Sequence, residues 1–265
     1  MATLGKAQWI ILLVLLLQAA TLALLLIFAV KARNRFRTYN REFHTMREEL
    51  QNAISMTALG FRFPIFFGHA SIDTFYARYL IQQLVAWRPK TIVELGSGAS
   101  TILIARLMQR LGTADYEHIS VEHDGDYLAI TKKLAELNGV ADRVTFLHCP
   151  LEATLALGIP WYAHLPEKLA DRKIDLLIVD GPPAYLKETA HARYPALPLL
   201  YGHFNDRCMI IVDDANRDGE RAVIDRWLKE YPEFAVRYRR RGKGFAILTR
   251  QGESSWRRES RRRAG

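Results

Sequence analysis

The chain has 265 residues, room for one sizeable domain with appendages. Its formal net charge of +9 is local, because 11 Lys/Arg face 2 Asp/Glu between Arg237 and Arg263 and the rest of the chain is balanced, so the charge excludes a dedicated nucleic-acid-binding domain. Two cysteines, Cys149 and Cys208, exclude a disulfide framework and read as buried thiols in a reducing compartment.

Residues 7–30 are expected to be a transmembrane anchor. Trp9 to Val30 carries no charge, and 15 of these residues are Leu, Ile, Val or Phe. At about 1.5 Å per residue the run reaches about 33 Å, enough for a hydrocarbon layer of about 30 Å. A cleaved signal peptide would have a shorter apolar region, about 7–15 residues, and a small-x-small site. Here the run ends in Phe28-Ala29-Val30-Lys31. Lys31, Arg33, Arg35, Arg37 and Arg41 follow it, against Lys6 and the terminal amine before it. The positive-inside rule then puts the N-terminus outside and the bulk of the chain in the cytoplasm.

Residues 31–59 form a basic juxtamembrane linker. Phe43, Met46, Leu50 and Ile54 recur at helical spacing there. The segment reads as an amphipathic helix packed on the domain or the membrane surface, or as a stalk that would make a homodimer.

Residues 60–250 alternate strand and helix. TIVEL (Thr91 to Leu95) reads as the first strand, with a helix to about Leu111. HISVE (His118 to Glu122) is the second, with a helix from about Tyr127 to Leu137. VTFLH (Val144 to His148), IDLLIVD (Ile174 to Asp180) and CMIIVD (Cys208 to Asp213) are the third to fifth, and a helix follows from about Glu220 to Tyr231. FAVRYR and GFAILTR then read as a hairpin about Arg241-Gly242-Lys243. Such alternation predicts a mostly parallel sheet covered on both faces, with ligands at the carboxyl ends of its strands. Glu94, Glu122, Asp180, Asp213 and Asp214 collect at those ends, which marks a site. Trp161 and Tyr162, flanked by Pro160 and Pro166, read as a mobile loop that would form an acceptor pocket or cover the domain edge. His69, His191 and His203 read as surface or core-edge groups, and Arg193-Tyr194-Pro195 as a turn or a substrate entrance. Residues 251–265 form a basic tail with no apolar pattern, expected to be disordered.

The most informative run is Glu94-Leu95-Gly96-Ser97-Gly98-Ala99-Ser100-Thr101. Gly96 and Gly98 permit a tight turn between strand and helix and let a ligand approach the backbone. Ser100 and Thr101 stand where a helix would be capped. A dinucleotide site normally has a third glycine, where this chain has Thr101, and Glu94 would oppose a pyrophosphate. S-adenosylmethionine has no phosphate, and its ammonium and sulfonium favour a nearby carboxylate. Glu122 ends the second strand, where it suits ribose hydroxyls of either nucleoside.

The runs VELGSGAST, VEHD, DLLIVDGPP and IIVDDANR, in this order and spacing, resemble class I S-adenosylmethionine-dependent methyltransferases, in particular the branch with many small-molecule O-methyltransferases. The resemblance covers about residues 61–249. It implies a Rossmann-like, doubly wound α/β sheet of seven strands, the last antiparallel, here preceded by one transmembrane helix. It implies that Gly96, Ser97 and Gly98 line the methionine and ribose of the cofactor, with Ser100 and Thr101 beside them. Glu94 would serve the ammonium, Glu122 the ribose, and His123, Cys149, Pro150 and Leu151 would border the adenine. Asp180 would stand between cofactor and acceptor as the catalytic base. Some enzymes of this superfamily hold a divalent metal with acids after the fourth and fifth strands, which here would be Asp180, Asp213 and Asp214 binding Mg²⁺. Those enzymes commonly have Asn after the fifth-strand Asp and a Lys after the fourth strand. Asp214 and Pro182-Pro183 stand there instead, which disfavours the metal. The implied activity is methyl transfer to an oxygen or nitrogen of an unidentified acceptor. The alternatives are a membrane-tethered, non-catalytic scaffold of the same fold and an NAD-dependent oxidoreductase.

Overall fold

The computed structural model describes residues 5–68, 71–154 and 158–250. The expectations for the tail 251–265 and for His69 lie outside the described residues. The chain divides into two units, residues 1–51 and 52–265.

Helix α1 (Lys6–Thr57) runs unbroken for 52 residues. The anchor and the juxtamembrane segment, expected as separate elements, are one helix, because no Gly or Pro interrupts the sequence from Lys6 to Thr57. Its best 18-residue window has mean hydropathy 3.0, and by length and composition it suffices to cross a membrane. Its apolar side chains are exposed, Leu22 by 70% and Phe28 by 72%. The last turn of α1 belongs to the second unit, where Asn52 and Met56 are buried.

The second unit is built on a seven-stranded sheet. Its strands are β1 (Thr91–Leu95), β2 (Glu117–Glu122), β3 (Thr145–His148), β6 (Ile174–Val179), β7 (Phe204–Val212), β8 (Phe234–Arg239) and β9 (Phe245–Arg250), in the order β3-β2-β1-β6-β7-β9-β8. Five are parallel, and β9 runs antiparallel to both its neighbours. This is the expected topology. The strands alternate between two apolar cores, which is why their sequences read as nearly continuous hydrophobic runs. Val93, Leu177, Val179, Ile210 and Val212 face helices α5 (Leu165–Leu169), α6 (Ala196–Leu200) and α7 (Asp218–Glu230). Ile92, Leu176, Ile178, Met209 and Ile211 face α2 (Thr74–Trp87) and α3 (Ala99–Arg110). Helix α4 (Gly125–Leu137) packs beside α3. Full burial of one such side chain contributes about 1.5–3 kcal/mol. Trp227 of α7 combines full burial with a 2.8 Å bond from its indole N–H to the Tyr194 carbonyl.

Three features differ from the sequence reading. Helix α2 is not among the expected elements; its N-cap Asp73 accepts from the Tyr76 N–H at 2.8 Å, and its Tyr76, Leu80 and Leu84 are fully buried. The fifth strand begins at Phe204 rather than Cys208, because buried Phe204 pairs with Ile174 across a register shift. Trp161 and Tyr162 are not a mobile loop. They lie on a short strand β5 (Pro160–Tyr162), paired antiparallel with β4 (Leu151–Ala153), and are only 1% and 2% exposed. Their rings meet edge-on at 5.0 Å, so burial of two aromatic bodies outweighs the turn signal of the flanking prolines.

Candidate active site

The strand register brings the site together. Leu95 of β1 pairs with Val121 of β2 and Val179 of β6, and Val179 pairs with Val212 of β7. The next residue of each strand or turn, Gly96, Glu122, Asp180 and Asp213, therefore emerges at one edge of the sheet. The strand order reverses between β1 and β6, the switch point where open α/β sheets bind ligands. There the Leu95 carbonyl accepts from the N–H groups of Asp180 (2.9 Å) and Gly181 (2.7 Å). Gly96 has φ +96°, and a Cβ there would sit 3.2 Å from the Gly181 nitrogen, so the two turns approach this closely only with glycine.

Beneath the glycine turn lies a buried polar network. The Thr101 hydroxyl donates to Glu94 Oε2 at 2.6 Å and accepts from the Gly98 N–H at 3.0 Å. His118 Nε2 lies 3.3 Å from the same Glu94 oxygen, and both side chains are fully buried. This network holds the turn from below. Glu94 Oε1 has no hydrogen-bond partner among the described residues.

Glu122 works from the other side. Its Oε1 accepts from the N–H groups of His123 (2.8 Å) and Asp124 (3.1 Å), and its Oε2 from the Ser97 N–H (3.0 Å). His123 Nδ1 lies 2.6 Å from Oε1. Burial pushes the Glu122 carboxyl up, but the His123 ring and the backbone donors outweigh it and hold it below its ordinary value. The same contact raises His123. Glu122 is therefore an ionised carboxylate fixed against the glycine turn.

Across the opening stands an acid cluster around one arginine. The Arg193 guanidinium is 3% exposed. Its Nη2 lies 3.3 Å from Asp180 Oδ1 and 3.5 Å from Asp214 Oδ2, and its Nη1 3.6 Å from Glu220 Oε1. It also donates to the backbone carbonyls of Asp180 and Asp213, at 2.6 and 2.9 Å. Burial raises the Asp180 carboxyl to about 6, with Arg193 opposing and Asp214 adding to the rise. Burial also raises Asp213 well above its ordinary range, reinforced by Asp180 and Asp214. Burial opposes the charge on Arg193, but the surrounding carboxylates overcome it and raise its pKa.

A cavity of about 440 Å³ opens between these groups. Gly96, Ser97, Glu122, His123, Asp180 and Asp214 of the expected residues line it. The others lie off its wall. Glu94 and Thr101 are in the network below the turn, and Gly98 and Ser100 are buried at the start of α3. Cys149 is buried, its sulfur 3.4 Å from the Lys168 amine, while Pro150 is exposed and Leu151 pairs in β4. Asp213 is buried behind Asp214, with Oδ2 unpartnered among the described residues. His191 is exposed, and His203 Nδ1 lies 3.2 Å from the Arg172 carbonyl. Tyr127, Tyr162, Arg193 and Lys243 also line the cavity. Nothing in the local sequence distinguishes Tyr127 or Lys243. Arg193 sits in a turn-like run, and only a buried arginine's need for several carboxylates identifies it. The Tyr162 hydroxyl is buried without a partner among the described residues, and a Cβ built at Gly181 would land on it.

Asp180, Asp213 and Asp214 bring ligand-type oxygens within 4.8 Å of one another. They do not fit a divalent ion as they stand, because Arg193 Nη2 already bridges Asp180 and Asp214 and the Arg217 guanidinium lies 2.9 Å from Asp214.

This sheet, with its glycine turn and strand-end acids around one cavity, is a class I methyltransferase fold. Residues 93–215 match the family model described as a methyltransferase domain. Among solved structures, the chain is similar to the O-methyltransferase of Bacillus cereus in complex with SAH, with 18% identity and TM-score 0.52, covering 78% of this chain and 91% of that one. It is similar to the O-methyltransferase TomG of Streptomyces achromogenes, involved in tomaymycin synthesis and solved with SAM, with 12% identity, TM-score 0.52 and coverage of 75% and 95%. A SAH-bound methyltransferase of Podospora anserina gives 16% identity, TM-score 0.52 and coverage of 69% and 80%. No curated protein matches the chain by sequence.

Proposed function

We propose that this chain is a membrane-anchored methyltransferase that uses S-adenosylmethionine to methylate an oxygen, or a nitrogen, of its acceptor. The observation that carries the reading is Glu122, an ionised carboxylate clamped to the Ser97 N–H and facing Asp180 across one cavity. Two further features fit the cofactor. Glu122 Oε2 keeps lone-pair capacity for a ribose hydroxyl beside its bond from Ser97. The Tyr162 hydroxyl is a buried polar group in the cavity wall with no protein partner among the described residues. S-adenosylmethionine supplies an electrophilic methyl on a sulfonium. The chain's own part is to hold both reactants in line and to take the acceptor's proton. Asp180, raised to about 6, is the base, ionised at neutral pH and still basic enough to accept that proton. The apolar run of α1 anchors the chain, and the basic residues following it favour a cytoplasmic catalytic unit, where the cofactor is made available.

Calorimetric titration of the full chain in detergent micelles with S-adenosylhomocysteine (SAH, the demethylated cofactor) and with NAD tests the reading. SAH binding without NAD binding is expected. NAD binding alone overturns it in favour of an oxidoreductase. SAH binding with no turnover on any acceptor panel supports the scaffold.

A further inference from the structure

We propose that the Arg193 guanidinium is the resident cation of this site, holding Asp180 and Asp214 by their carboxylates and Asp213 by its backbone carbonyl, so that no divalent ion binds the three acids. The acids by themselves have the chemistry and spacing of a metal site. What decides against a metal is where the arginine is held. Its three backbone acceptors are the carbonyls of Asp180, Pro182 and Asp213, which belong to the same turns that carry the acids. The guanidinium cannot swing away without releasing those turns. Its five N–H groups meet these three carbonyls and, within 3.6 Å, the carboxylates of Asp180, Asp214 and Glu220, so the planar fork is saturated. A doubly charged ion bound to Asp180 and Asp214 would compete for oxygens that one nitrogen already bridges. Arg217 also lies 2.9 Å from Asp214 and 3.4 Å from Glu220, but its side chain is 42% exposed and can turn to solvent, so the buried Arg193 is the cation that decides.

The arrangement also explains how a guanidinium with 3% of its surface exposed is tolerated. Removing such a charge from water is costly, and the cost is offset by hydrogen bonds to the carboxylates of Asp180 and Asp214 and by the Glu220 carboxylate at 3.6 Å. The acids and the arginine thus require each other. In the methyltransferase reading, on which this last step alone rests, an acceptor hydroxyl is activated by proton transfer to Asp180 and not by chelation. Two adjacent hydroxyls on the acceptor would then bring no advantage through a shared metal.

The test is Mn²⁺ titration of the full chain in detergent micelles, followed by the loss of the free-ion electron paramagnetic resonance signal. Wild-type protein should leave the signal unchanged to about 1 mM, the weak end of protein cation sites. Arg193→Met removes the fork and should create one Mn²⁺ site per chain, which adding Asp214→Asn then abolishes. One wild-type Mn²⁺ site that disappears on Asp214→Asn would overturn the proposal. So would a folded Arg193→Met protein that binds no Mn²⁺. Should Arg193→Met fail to fold by circular dichroism, the wild-type and Asp214→Asn titrations decide alone. None of these readouts needs cofactor or turnover. SAH titration of the same samples separates a failure here from a failure of the methyltransferase reading.

Discussion

Replacing Glu122 by Gln keeps the shape of the side chain and removes its charge. The structure predicts that shape is not enough. Oε1 faces the N–H groups of His123 and Asp124, and Oε2 faces the N–H of Ser97. A glutamine amide has one oxygen and one NH₂, so one of these sides must meet donor with donor. The less costly orientation keeps the oxygen on the His123 and Asp124 side and turns the NH₂ on Ser97. The Ser97 N–H then loses a charge-assisted bond, about 1.5–3 kcal/mol, and the oxygen available to the ribose is gone. Because Ser97 is in the glycine turn, the loss falls on cofactor binding. At about 1.4 kcal/mol per tenfold, SAH affinity should drop about 10- to 100-fold. Glu122→Ala should be no better, since both variants lose the same acceptor. The assay is calorimetric titration of detergent-solubilised full chain with SAH, with thermal melts to show each variant folded. A folded Glu122→Gln protein with wild-type affinity would refute the reasoning, because it would mean the carboxylate neither orders the turn nor meets the ligand.

Thr101→Val should destabilise the domain by about 2–4 kcal/mol, from one lost bond to a carboxylate and one stranded buried N–H, and so lower the urea midpoint by about 1–2 M; an unchanged midpoint would show that the network under the turn carries no load. Asp180→Asn should abolish turnover while leaving SAH affinity within about threefold. Since Asp180 titrates near 6 and acts when deprotonated, wild-type kcat/KM should be flat above that pH and fall about tenfold per unit below it, and a profile with no acidic limb would count against Asp180 as the base. Gly181→Ala should abolish SAH binding because its Cβ lands on the Tyr162 hydroxyl, while the next nearest atoms, of Gly96, are at 3.3 Å; adding Tyr162→Phe should restore binding, and no rescue would mean the backbone, not the hydroxyl, rejects the methyl. A reporter fused after Gly265 should be cytoplasmic; finding it on the far side of the membrane would reject the orientation and access to cytosolic cofactor.

The sheet could be read from the sequence because buried parallel strands need unbroken apolar runs, and TIVEL, IDLLIV and MIIV have no other use at those lengths. Gly96 and Glu122 could be read for a similar reason: each acts on residues adjacent in the turn or one strand away, so its chemistry shows in local order. Helix α1 was legible in kind but not in extent, since an apolar run and a charged run have different hydropathy yet the same freedom from helix breakers. Arg193, Tyr162 and the true position of Glu94 were decided only by tertiary structure. Arg193 is 13 residues from Asp180, 21 from Asp214 and 27 from Glu220 in sequence, and nothing local relates it to them. Their meeting depends on β6 and β7 being neighbours, which brings two turns to one edge. Tyr162 became a cavity wall because β5 pairs with β4 and buries two rings that read as a loop. Glu94, on the strand face opposite Leu95, went beneath the turn because side chains alternate along a strand, and the residue two before a glycine turn points into the layer under it. Composition and pattern therefore determine which parallel strands form the sheet and where their carboxyl ends lie. Which side chains from separate ends share a charge depends on strand order and on the face each residue presents, and no interval of the sequence contains that information.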